Sequence, residues 1–359
     1  MSGELWCVTV RVVDLRSDTV TLPTEEMLEA MRTAELGDDV YREDPTVNRL
    51  EEHAAKKMGK EAALLTTSGT QANLVSLMSQ TRRGDEVILE ADAHLYYYEV
   101  GAFSAIGGLV PRLVSGNMGV ITPEDIEKVL RPPNIHFPPT SLVCVENTHN
   151  RAGGTMWTPS QTKAVFDFAK THGLSVHMDG ARIFNAAVAQ DVDVRQFTRY
   201  ADTLMFCLSK GLSAPIGSLV VGNKELIDRA RRCRKMLGGG MRQAGIIAAA
   251  GIVAIEKMVD RLRDDHANAR LLAEGLAKIR GIGLDLSRVQ TNIVLYDVSG
   301  LGVTAREWVT KLLPSGVKAG AQEGGRVRMV THRGIEKDDI EYALNVAENV
   351  AKQITQQNS

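Results

Sequence analysis

A lysine and an aspartate each follow an apolar run of the chain and could together serve one cofactor. Lys210 comes directly after the stretch LMFCLS and before a glycine, and Asp179 comes directly after LSVHM. A lysine amine in apolar surroundings is desolvated and therefore nucleophilic. In pyridoxal phosphate enzymes a lysine amine condenses with the cofactor aldehyde, and a carboxylate keeps the pyridine nitrogen protonated so that the ring accepts electrons. The two residues therefore predict a pyridoxal phosphate site if the fold brings them together.

Both residues also have simpler explanations. Most lysines are solvated surface residues, and an aspartate between a strand and a helix is often an N-cap. Ser209 beside Lys210 would allow a Ser–Lys hydrolase dyad, but adjacent residues of a strand point to opposite faces, which weakens this alternative. Arg182, three residues after Asp179, could contact the phenolic oxygen of the cofactor ring or brace the aspartate.

A phosphate site is expected at the segment LLTTSGTQANLVSL. Ser68, Gly69 and Thr70 lie there between a strand-like run and an amphipathic helical pattern. The free N–H groups and the dipole of a helix N-terminus attract an anion, and a glycine lets the backbone approach it closely. An ordinary helix cap explains the same residues equally well.

Two histidines follow strand-like runs in the same way as Asp179. His94 comes shortly after EVILE and could stack on a cofactor ring, while His149 follows SLVCVE and could act on the substrate as an acid or a base. The other six histidines, including His177 close to Asp179, are interpreted as structural.

The positioning elements alternate between strands and helices. This alternation predicts an α/β fold with a mostly parallel sheet, whose functional groups lie at the carboxyl ends of the strands. From about residue 251 a long helical pattern (251–279) and further mixed elements predict a smaller α+β domain. We therefore expect a lead-in (1–13), a large domain (14–250) and a small C-terminal domain (251–359). The predicted strands of the large domain are AALLTT (62–67), EVILE (86–90), SLVCVE (141–146), LSVHMD (174–179), TLMFCLS (203–209) and IGSLVVG (216–222).

Composition excludes several classes of protein. The net charge of −2 over 359 residues offers no electrostatic basis for binding nucleic acid or an anionic membrane surface. The apolar stretch 245–255 is too short to span a bilayer and fits a buried helix. The four cysteines are far apart, have no metal-ligand spacing and include two in strand-like runs, so a reducing compartment is expected. No secretory signal is evident at the N-terminus, which favours the cytoplasm while leaving a mitochondrial location open.

Taken together, the motifs resemble the threonine aldolase family of fold type I pyridoxal phosphate enzymes. The resemblance covers roughly residues 12–350, and the motifs occur in the order and at the spacings of the family. They are DLRSDTVT, GDDVYREDPTVNRLE, TSGTQAN, HLYYYEVG, ENTHN, HMDGARIFNAA, SKGLSAPIGS, RKMLGGGMRQAG and VRMVTH. The resemblance thus implies a fold type I, transferase-like architecture.

For the cofactor, the resemblance implies that Lys210 binds the aldehyde and Asp179 the pyridine nitrogen. Arg182 is then the partner of the phenolic oxygen, and His94 stacks on the ring. The phosphate would contact Gly69 and Thr70, with help from Ser68. Arg242 matches a position that completes the cofactor site from a neighbouring subunit.

For the substrate, the resemblance implies a carboxylate clamp of Ser17 and Arg328. Arg326 lies on the same strand face, and the sequence alone does not separate the two arginines. His149 would act near the β-hydroxyl together with ordered water, and Tyr98 would influence the preference between threonine and allo-threonine. Tyr41 would reach the site from a neighbouring subunit, which implies a homo-oligomer, expected to be a tetramer built from catalytic dimers.

The implied reaction is retro-aldol cleavage of L-allo-threonine or L-threonine to glycine and acetaldehyde. No metal is expected. β-Elimination or transamination on the same scaffold is the main alternative, and a binding protein without activity is another, because a fold does not determine a function.

Overall fold

The computed structural model describes residues 11–357, in which two compact units can be distinguished. The larger unit is continuous, from Thr21 to Arg263, and the smaller one combines the residues up to Val20 with those from Asp264 onwards. Most of the predicted lead-in, residues 1–10, lies outside the described residues. No helix in the described part of the chain has both the length and the apolar character needed to cross a bilayer.

Twelve strands and fourteen α-helices make up the regular structure of residues 11–357. The strands are β1 (Val13–Asp14), β2 (Ala62–Thr66), β3 (Glu86–Glu90), β4 (Val110–Val114), β5 (Thr140–Glu146), β6 (Ser175–Asp179), β7 (Thr203–Cys207), β8 (Ser218–Gly222), β9 (Ile293–Asp297), β10 (Val317–Lys318), β11 (Gly320–Ala321) and β12 (Arg326–Val330). The helices are α1 (Glu25–Arg32), α2 (Pro45–Met58), α3 (Gly69–Gln80), α4 (His94–Tyr97), α5 (Ala102–Ala105), α6 (Pro123–Val129), α7 (Pro159–Thr171), α8 (Ile183–Ala189), α9 (Arg195–Thr198), α10 (Lys224–Met236), α11 (Gly245–Lys257), α12 (Leu262–Leu276), α13 (Ala305–Leu312) and α14 (Lys337–Gln357).

The larger unit contains a seven-stranded sheet in the order β2-β8-β7-β6-β5-β3-β4. Only β8 among these strands runs against its neighbours, pairing antiparallel with both β2 and β7. The other six strands therefore point in one direction, and their carboxyl ends lie at one edge of the sheet. This confirms the predicted mostly parallel sheet and places the residues that follow the strands at a common edge.

Both faces of this sheet are covered, which explains why its strands read as continuous apolar runs. Alternate residues of β7 enter different clusters: Met205 and Cys207 pack with residues of α3 and α10, whereas Leu204 and Phe206 join the large cluster that includes residues of α2, α8 and α11. The predicted buried helix at 245–255 is α11, whose alanines and glycines allow it to pack on α1 and α2.

The smaller unit has two small sheets. Strand β1 pairs in parallel with β10, and β9, β12 and β11 form an antiparallel sheet. Side chains of α12, α13 and α14 pack with these strands around the buried Trp308. This is the predicted α+β composition.

Two features differ from the sequence expectations. Strand β4 was not predicted, because its sequence VPRLV contains a proline and four of its five side chains are not fully buried, as is typical of an edge strand. The helix expected over 251–279 is interrupted after α11 by a turn in which the Leu262 N–H bonds to the Val259 carbonyl, and this turn buries Met258, Val259 and Leu262. The two compact units divide after Val20 and Arg263, because β1 pairs with β10 and α11 packs on α1, while the domain bounds expected at residues 13 and 250 stay a prediction.

Candidate active site

Lys210 lies in a tight turn three residues beyond the end of β7. The Ser213 N–H donates to the Lys210 carbonyl at 2.8 Å, and the Ala214 N–H donates to the Leu208 carbonyl at 3.0 Å. Ser213 is buried and has a left-handed φ of 65°, a conformation that persists only when the surroundings enforce it. Ser209 and Lys210 both lie outside the strand, so the strand-face argument against a Ser–Lys dyad does not apply.

Asp179 is the last residue of β6 and is almost fully buried. Its Oδ1 accepts the backbone N–H of Ala181 at 3.0 Å, and its Oδ2 accepts Nδ2 of Asn73 at 2.9 Å. Burial alone would raise the pKa of Asp179, but the positive charges of His94 and Lys210 lower it below its ordinary value. The aspartate is therefore ionised and within electrostatic reach of Lys210.

His94 begins α4, and two glutamates orient it. Its backbone N–H donates to Glu146 Oε2 at 2.7 Å, and its ring Nδ1 lies 3.1 Å from Glu99 Oε1. Burial lowers the pKa of His94, but the hydrogen bond to Glu99 and the charge of Asp179 outweigh burial and raise it. Side-chain atoms of His94, Glu99 and Asp179 all lie within 4.8 Å of one another. The structure thus brings the predicted His94, Asp179 and Lys210 together.

The same three side chains have ligand types that a metal ion could use. The amide of Asn73, however, donates hydrogen bonds to Asp179 Oδ2 and to Glu99 Oε1. An N–H donor between two carboxylates occupies the lone pairs and the space that an ion would need. The arrangement therefore favours an organic cation over a metal ion as the partner of Asp179.

The predicted phosphate turn lies between β2 and α3. The Ser68 hydroxyl accepts the Gln71 N–H at 3.2 Å and so acts as the N-cap of α3. A Cβ at Gly69 would lie 3.1 Å from Sγ of Cys207, so the glycine lets the helix start pack closely against β7. Ser68 and Thr70 are exposed, and the first N–H groups of a twelve-residue helix point to solvent there. The turn has both the cap and the open helix end that the sequence allowed.

His149 is buried, and both of its ring nitrogens have partners. Nε2 lies 3.0 Å from Glu90 Oε2, and Nδ1 accepts the Ala152 N–H at 3.2 Å. Gly119 packs against the ring so closely that a Cβ there would lie 2.3 Å from Cγ of the histidine. Burial lowers the pKa of His149, but the carboxylates of Glu146 and Glu90 outweigh it and raise the pKa. The geometry describes a histidine–glutamate pair enclosed at the ends of β3 and β5.

Tyr98 borders the site through His94. The two ring centroids are 5.4 Å apart, and the tyrosine Oη accepts Nη1 of Arg151 at 3.2 Å. The guanidinium of Arg151 also lies 3.6 Å from the ring centroid of Tyr97, a cation–π contact, and it pairs with Asp92. The arginine of the ENTHNR segment therefore holds the predicted specificity residue in place.

The segments of Tyr41 and Arg242 are joined by two contacts of Arg242 with the turn that ends at Tyr41. Arg242 forms an ion pair with Asp38 at 3.0 Å, and its carbonyl accepts the N–H of Asp39 in the turn that ends at Tyr41. The Tyr41 side chain is 72% exposed. Arg242 is exposed as well, so both side chains lie at the surface of the larger unit.

Ser17 and Arg328 both belong to the smaller unit. Nη1 of Arg328 donates to the carbonyl of Arg16 at 3.2 Å, which brings the guanidinium beside the residue that precedes Ser17. The Ser17 hydroxyl accepts the Thr19 hydroxyl at 2.9 Å. Arg326, in contrast, donates to the Glu323 carbonyl at 3.4 Å. Of the two arginines that the sequence could not separate, Arg328 is the one that lies beside the Ser17 segment.

Comparison with known proteins agrees with this geometry. The model of the beta-eliminating lyase family matches residues 14–299. The chain is 44% identical to low-specificity L-threonine aldolase 1 of Arabidopsis thaliana over 343 residues, covering 94% of this chain and 96% of the relative. It is 43% identical to the low specificity L-threonine aldolase of Escherichia coli K12, covering 92% and 96% of the two chains.

The chain belongs to the threonine aldolase family. It also has the fold of solved pyridoxal phosphate enzymes. The Leishmania major threonine aldolase aligns with a TM-score of 0.80 at 20% identity, covering 94% of this chain and 99% of that one. The serine palmitoyltransferase of Sphingomonas wittichii aligns with a TM-score of 0.75 at 19% identity, covering 96% of this chain and 88% of that one. The recognition from motifs, the predicted fold class and the classification as a lyase are confirmed.

Sequence reasoning missed the acidic and amide groups that organise this threonine aldolase site. Glu90 and Glu146 end two strands, Glu99 follows HLYYY, and Asn73 lies one turn into α3. Each strand-terminal glutamate ends an apolar run in the sequence, just as Asp179 does, so the same signal was available. Their partners come from other strands and helices, which a linear pattern does not reveal.

The residues present fit a pyridinium ring. Asp179 is a buried, ionised carboxylate whose own hydrogen bonds come from two neutral donors, the Asn73 amide and the Ala181 N–H. An ionised carboxylate in such a place needs a cationic partner to offset its desolvation. A protonated ring nitrogen meets this need, and Lys210 is close enough to act on the same carboxylate electrostatically.

Proposed function

We propose that this threonine aldolase uses pyridoxal phosphate to cleave L-allo-threonine and L-threonine into glycine and acetaldehyde. The observation that carries the proposal is the convergence of Lys210, Asp179 and His94 at the carboxyl edge of the sheet. The names of the relatives at 43–45% identity, all low-specificity L-threonine aldolases, support this substrate class.

Within one chain, we assign the cofactor to residues from four strand ends. Asp179 would pair with the ring nitrogen, His94 would stack on the ring, and Lys210 would bind the aldehyde carbon. When bound, pyridoxal phosphate supplies an electron sink for the electrons of the broken Cα–Cβ bond. The phosphate would contact the turn before α3 and the phenolic oxygen would contact Arg182; the turn residues are Ser68, Gly69 and Thr70.

The remaining predicted residues would orient the amino acid. Arg328 and Ser17 would hold its carboxylate, because a guanidinium suits bidentate binding of such a group. This clamp selects which bond of Cα stands perpendicular to the ring and is therefore broken. His149, paired with Glu90, would act near the β-hydroxyl together with ordered water, and Tyr98 would contact the β-substituent.

Arg242 and Tyr41 fit a different role. Both side chains are exposed on the larger unit, so we assign them to the site of a second copy. This requires a homo-oligomer, which we propose to be a tetramer of catalytic dimers. The free cysteines Cys144, Cys207 and Cys233 are compatible with a reducing compartment such as the cytoplasm.

The test compares acetaldehyde release from L-threonine, L-allo-threonine and the two D-isomers. The wild-type protein is expected to cleave the L-isomers and to show the visible absorbance band of bound pyridoxal phosphate. Lys210→Ala should lose both the band and the cleavage, because no other amine binds the aldehyde. Lys163→Ala, which removes an exposed lysine on α7 that pairs with Asp167, is the matched control and should keep both.

The products that form distinguish aldol cleavage from the two alternative reactions. Release of pyruvate, or conversion of the cofactor to pyridoxamine phosphate, would assign β-elimination or transamination instead of aldol cleavage. A protein that stays colourless with added pyridoxal phosphate would overturn the proposal altogether, and equal cleavage of the D-isomers would overturn its L-specificity.

A further inference from the structure

Behind Asp179 lies a buried polar side chain that no step of the proposed reaction uses. Nδ2 of Asn73 donates to Asp179 Oδ2 at 2.9 Å and to Glu99 Oε1 at 2.8 Å. The reverse orientation of the amide would place its oxygen against the ionised Asp179. The carboxylate therefore fixes the amide, and Asn73 Oδ1 must point the other way.

That oxygen faces His177, which is fully buried on β6. His177 Nε2 lies 3.0 Å from Asn73 Oδ1, and because an amide oxygen only accepts, Nε2 must carry the proton. Burial lowers the pKa of His177 to about 4, so the ring is neutral near pH 7 and has no second proton. Nδ1 is then an acceptor, and its partner is the hydroxyl of Thr203 at 2.8 Å.

Thr203 extends this series of hydrogen bonds in the same donor-to-acceptor direction. Its hydroxyl proton goes to His177, and its oxygen accepts Nε2 of Gln80 at 2.7 Å. Every donor therefore points the same way, from Gln80 through Thr203, His177 and Asn73 to Asp179. Hydrogen bonds aligned in one direction polarise one another, and the last donor of such a chain is strengthened.

We propose that Thr203, His177 and Asn73 are positioning residues that hold Asp179 ionised and correctly oriented for the ring nitrogen of pyridoxal phosphate. The three side chains are at most 1% exposed, and apolar residues of similar size would pack there without any need for polar partners. What the polar residues add is a fixed donor for the carboxylate. This inference rests on the proposed function, since it concerns the same cofactor.

The decisive variants change the donor of His177 while keeping its volume. His177→Phe removes the Nε2 proton donor, so Asn73 Oδ1 loses its partner and the amide that donates to Asp179 is no longer polarised from behind. With the protein saturated by pyridoxal phosphate labelled with ¹⁵N in the ring, the nitrogen resonance should move toward that of an unprotonated pyridine. The dissociation constant of the cofactor should rise about tenfold, the size expected for one weakened hydrogen bond to a charged group. His177→Gln restores an N–H at the Nε2 position and should recover both values substantially.

A matched pair of threonine variants separates this role from simple core stability. Thr203→Val and Thr198→Val each remove a buried hydroxyl, and that of Thr198 donates to the Met58 carbonyl at 2.6 Å, away from Asp179. Both should lower the melting temperature, but only Thr203→Val should shift the ¹⁵N resonance. This pair keeps the inference testable even where His177→Phe fails to fold.

The outcomes are distinguishable. A wild-type protein that binds no pyridoxal phosphate overturns the proposed function and the inference with it. A wild-type protein that binds it, with Thr203→Val and Thr198→Val giving the same nitrogen resonance as wild type, overturns the inference alone. A shift in the His177→Phe and Thr203→Val variants that the control lacks, with recovery in His177→Gln, supports it.

Discussion

The carboxylates at the sheet edge have similar burial but different partners. Glu90 pairs with His149 and Glu99 with His94, while Glu146 accepts the backbone N–H groups of His94 and Asn150. Asp179 has the Asn73 amide and the Ala181 N–H. Glu90 and Glu99 therefore each bind a titratable ring, and Glu146 joins two loops. Among these four carboxylates, Asp179 is the one that remains for a cationic ligand. The site is thus a set of buried carboxylates, and the partner of each carboxylate determines its role.

The His94–Glu99 pair predicts a pH dependence of stability. The pKa of His94 is raised by Glu99 above its ordinary 6.5, against the effect of burial. The corresponding stabilisation is fully present below the pKa that His94 has in the unfolded protein. It is lost as the pH rises through the higher pKa that His94 has in the folded protein. The melting temperature of the cofactor-free protein should therefore fall between about pH 6 and pH 8 by more in wild type than in Glu99→Gln.

The control for this experiment is Glu256→Gln, which makes the same change beside His53 on the surface, where the two groups are 3.9 Å apart. Its pH profile should follow that of wild type, because an exposed pair contributes little. Parallel profiles for wild type and Glu99→Gln would refute the assigned pairing.

Asp44 shows how one side chain connects several elements. It is fully buried and is the N-cap of α2, accepting the N–H groups of Thr46 and Val47 through Oδ1. Its Oδ2 accepts the N–H of Gly245 at 2.8 Å, at the start of α11. A Cβ at Gly245 would lie 2.5 Å from Asp44 Oδ1, so the glycine is needed for this approach. One carboxylate thus satisfies the first turns of two helices.

Asp44→Ala should accordingly destabilise the protein by more than an ordinary cap mutation. It removes a cap and leaves several buried N–H groups without acceptors, which together cost roughly 3 kcal/mol or more. Thr158→Ala removes the exposed capping box of α7 and should cost only about 1 kcal/mol. Urea unfolding measures the free energy of unfolding of both variants. Equal losses of this free energy would contradict the role of Asp44 in capping two helices.

Elements were predictable where local sequence determines them. The strands β2, β3, β5, β6, β7 and β8 and the helices α3, α6 and α7 follow from apolar periodicity and from caps such as Thr158, whose capping box is readable in TPSQ. Strand β4 and the break after α11 were not predictable, because pairing at a sheet edge and burial of Leu262 depend on distant partners. The same limit applies to the site: Lys210 and Asp179 were identifiable from their runs, whereas the contacts of Asn73 and Glu99 arise only in the folded sheet.

At the scale of the whole molecule, the assignment of Arg242 to a second copy can be tested by complementation. Lys210→Ala and Arg242→Ala should each be nearly inactive alone. In a mixed dimer, one site combines Lys210 of one chain with Arg242 of the other and is intact. Unfolding and refolding the two variants together should therefore restore roughly a quarter of wild-type activity.

Size-exclusion chromatography of each variant serves as the control, because both must assemble as wild type does. If Arg242 served the site of its own chain, the mixture would stay as inactive as its components. Activity restored by mixing would place the arginine across the subunit boundary.

The pairing of β1 with β10 has a consequence for the order of events during synthesis. Residues 21–263 form one continuous unit and can collapse as soon as they have left the ribosome. Residues 13 and 14 are made before that unit but pair with residues 317 and 318, which are made after it. The segment that contains β1 therefore stays unpaired until residues 317 and 318 have emerged, so the smaller unit is completed after the larger one.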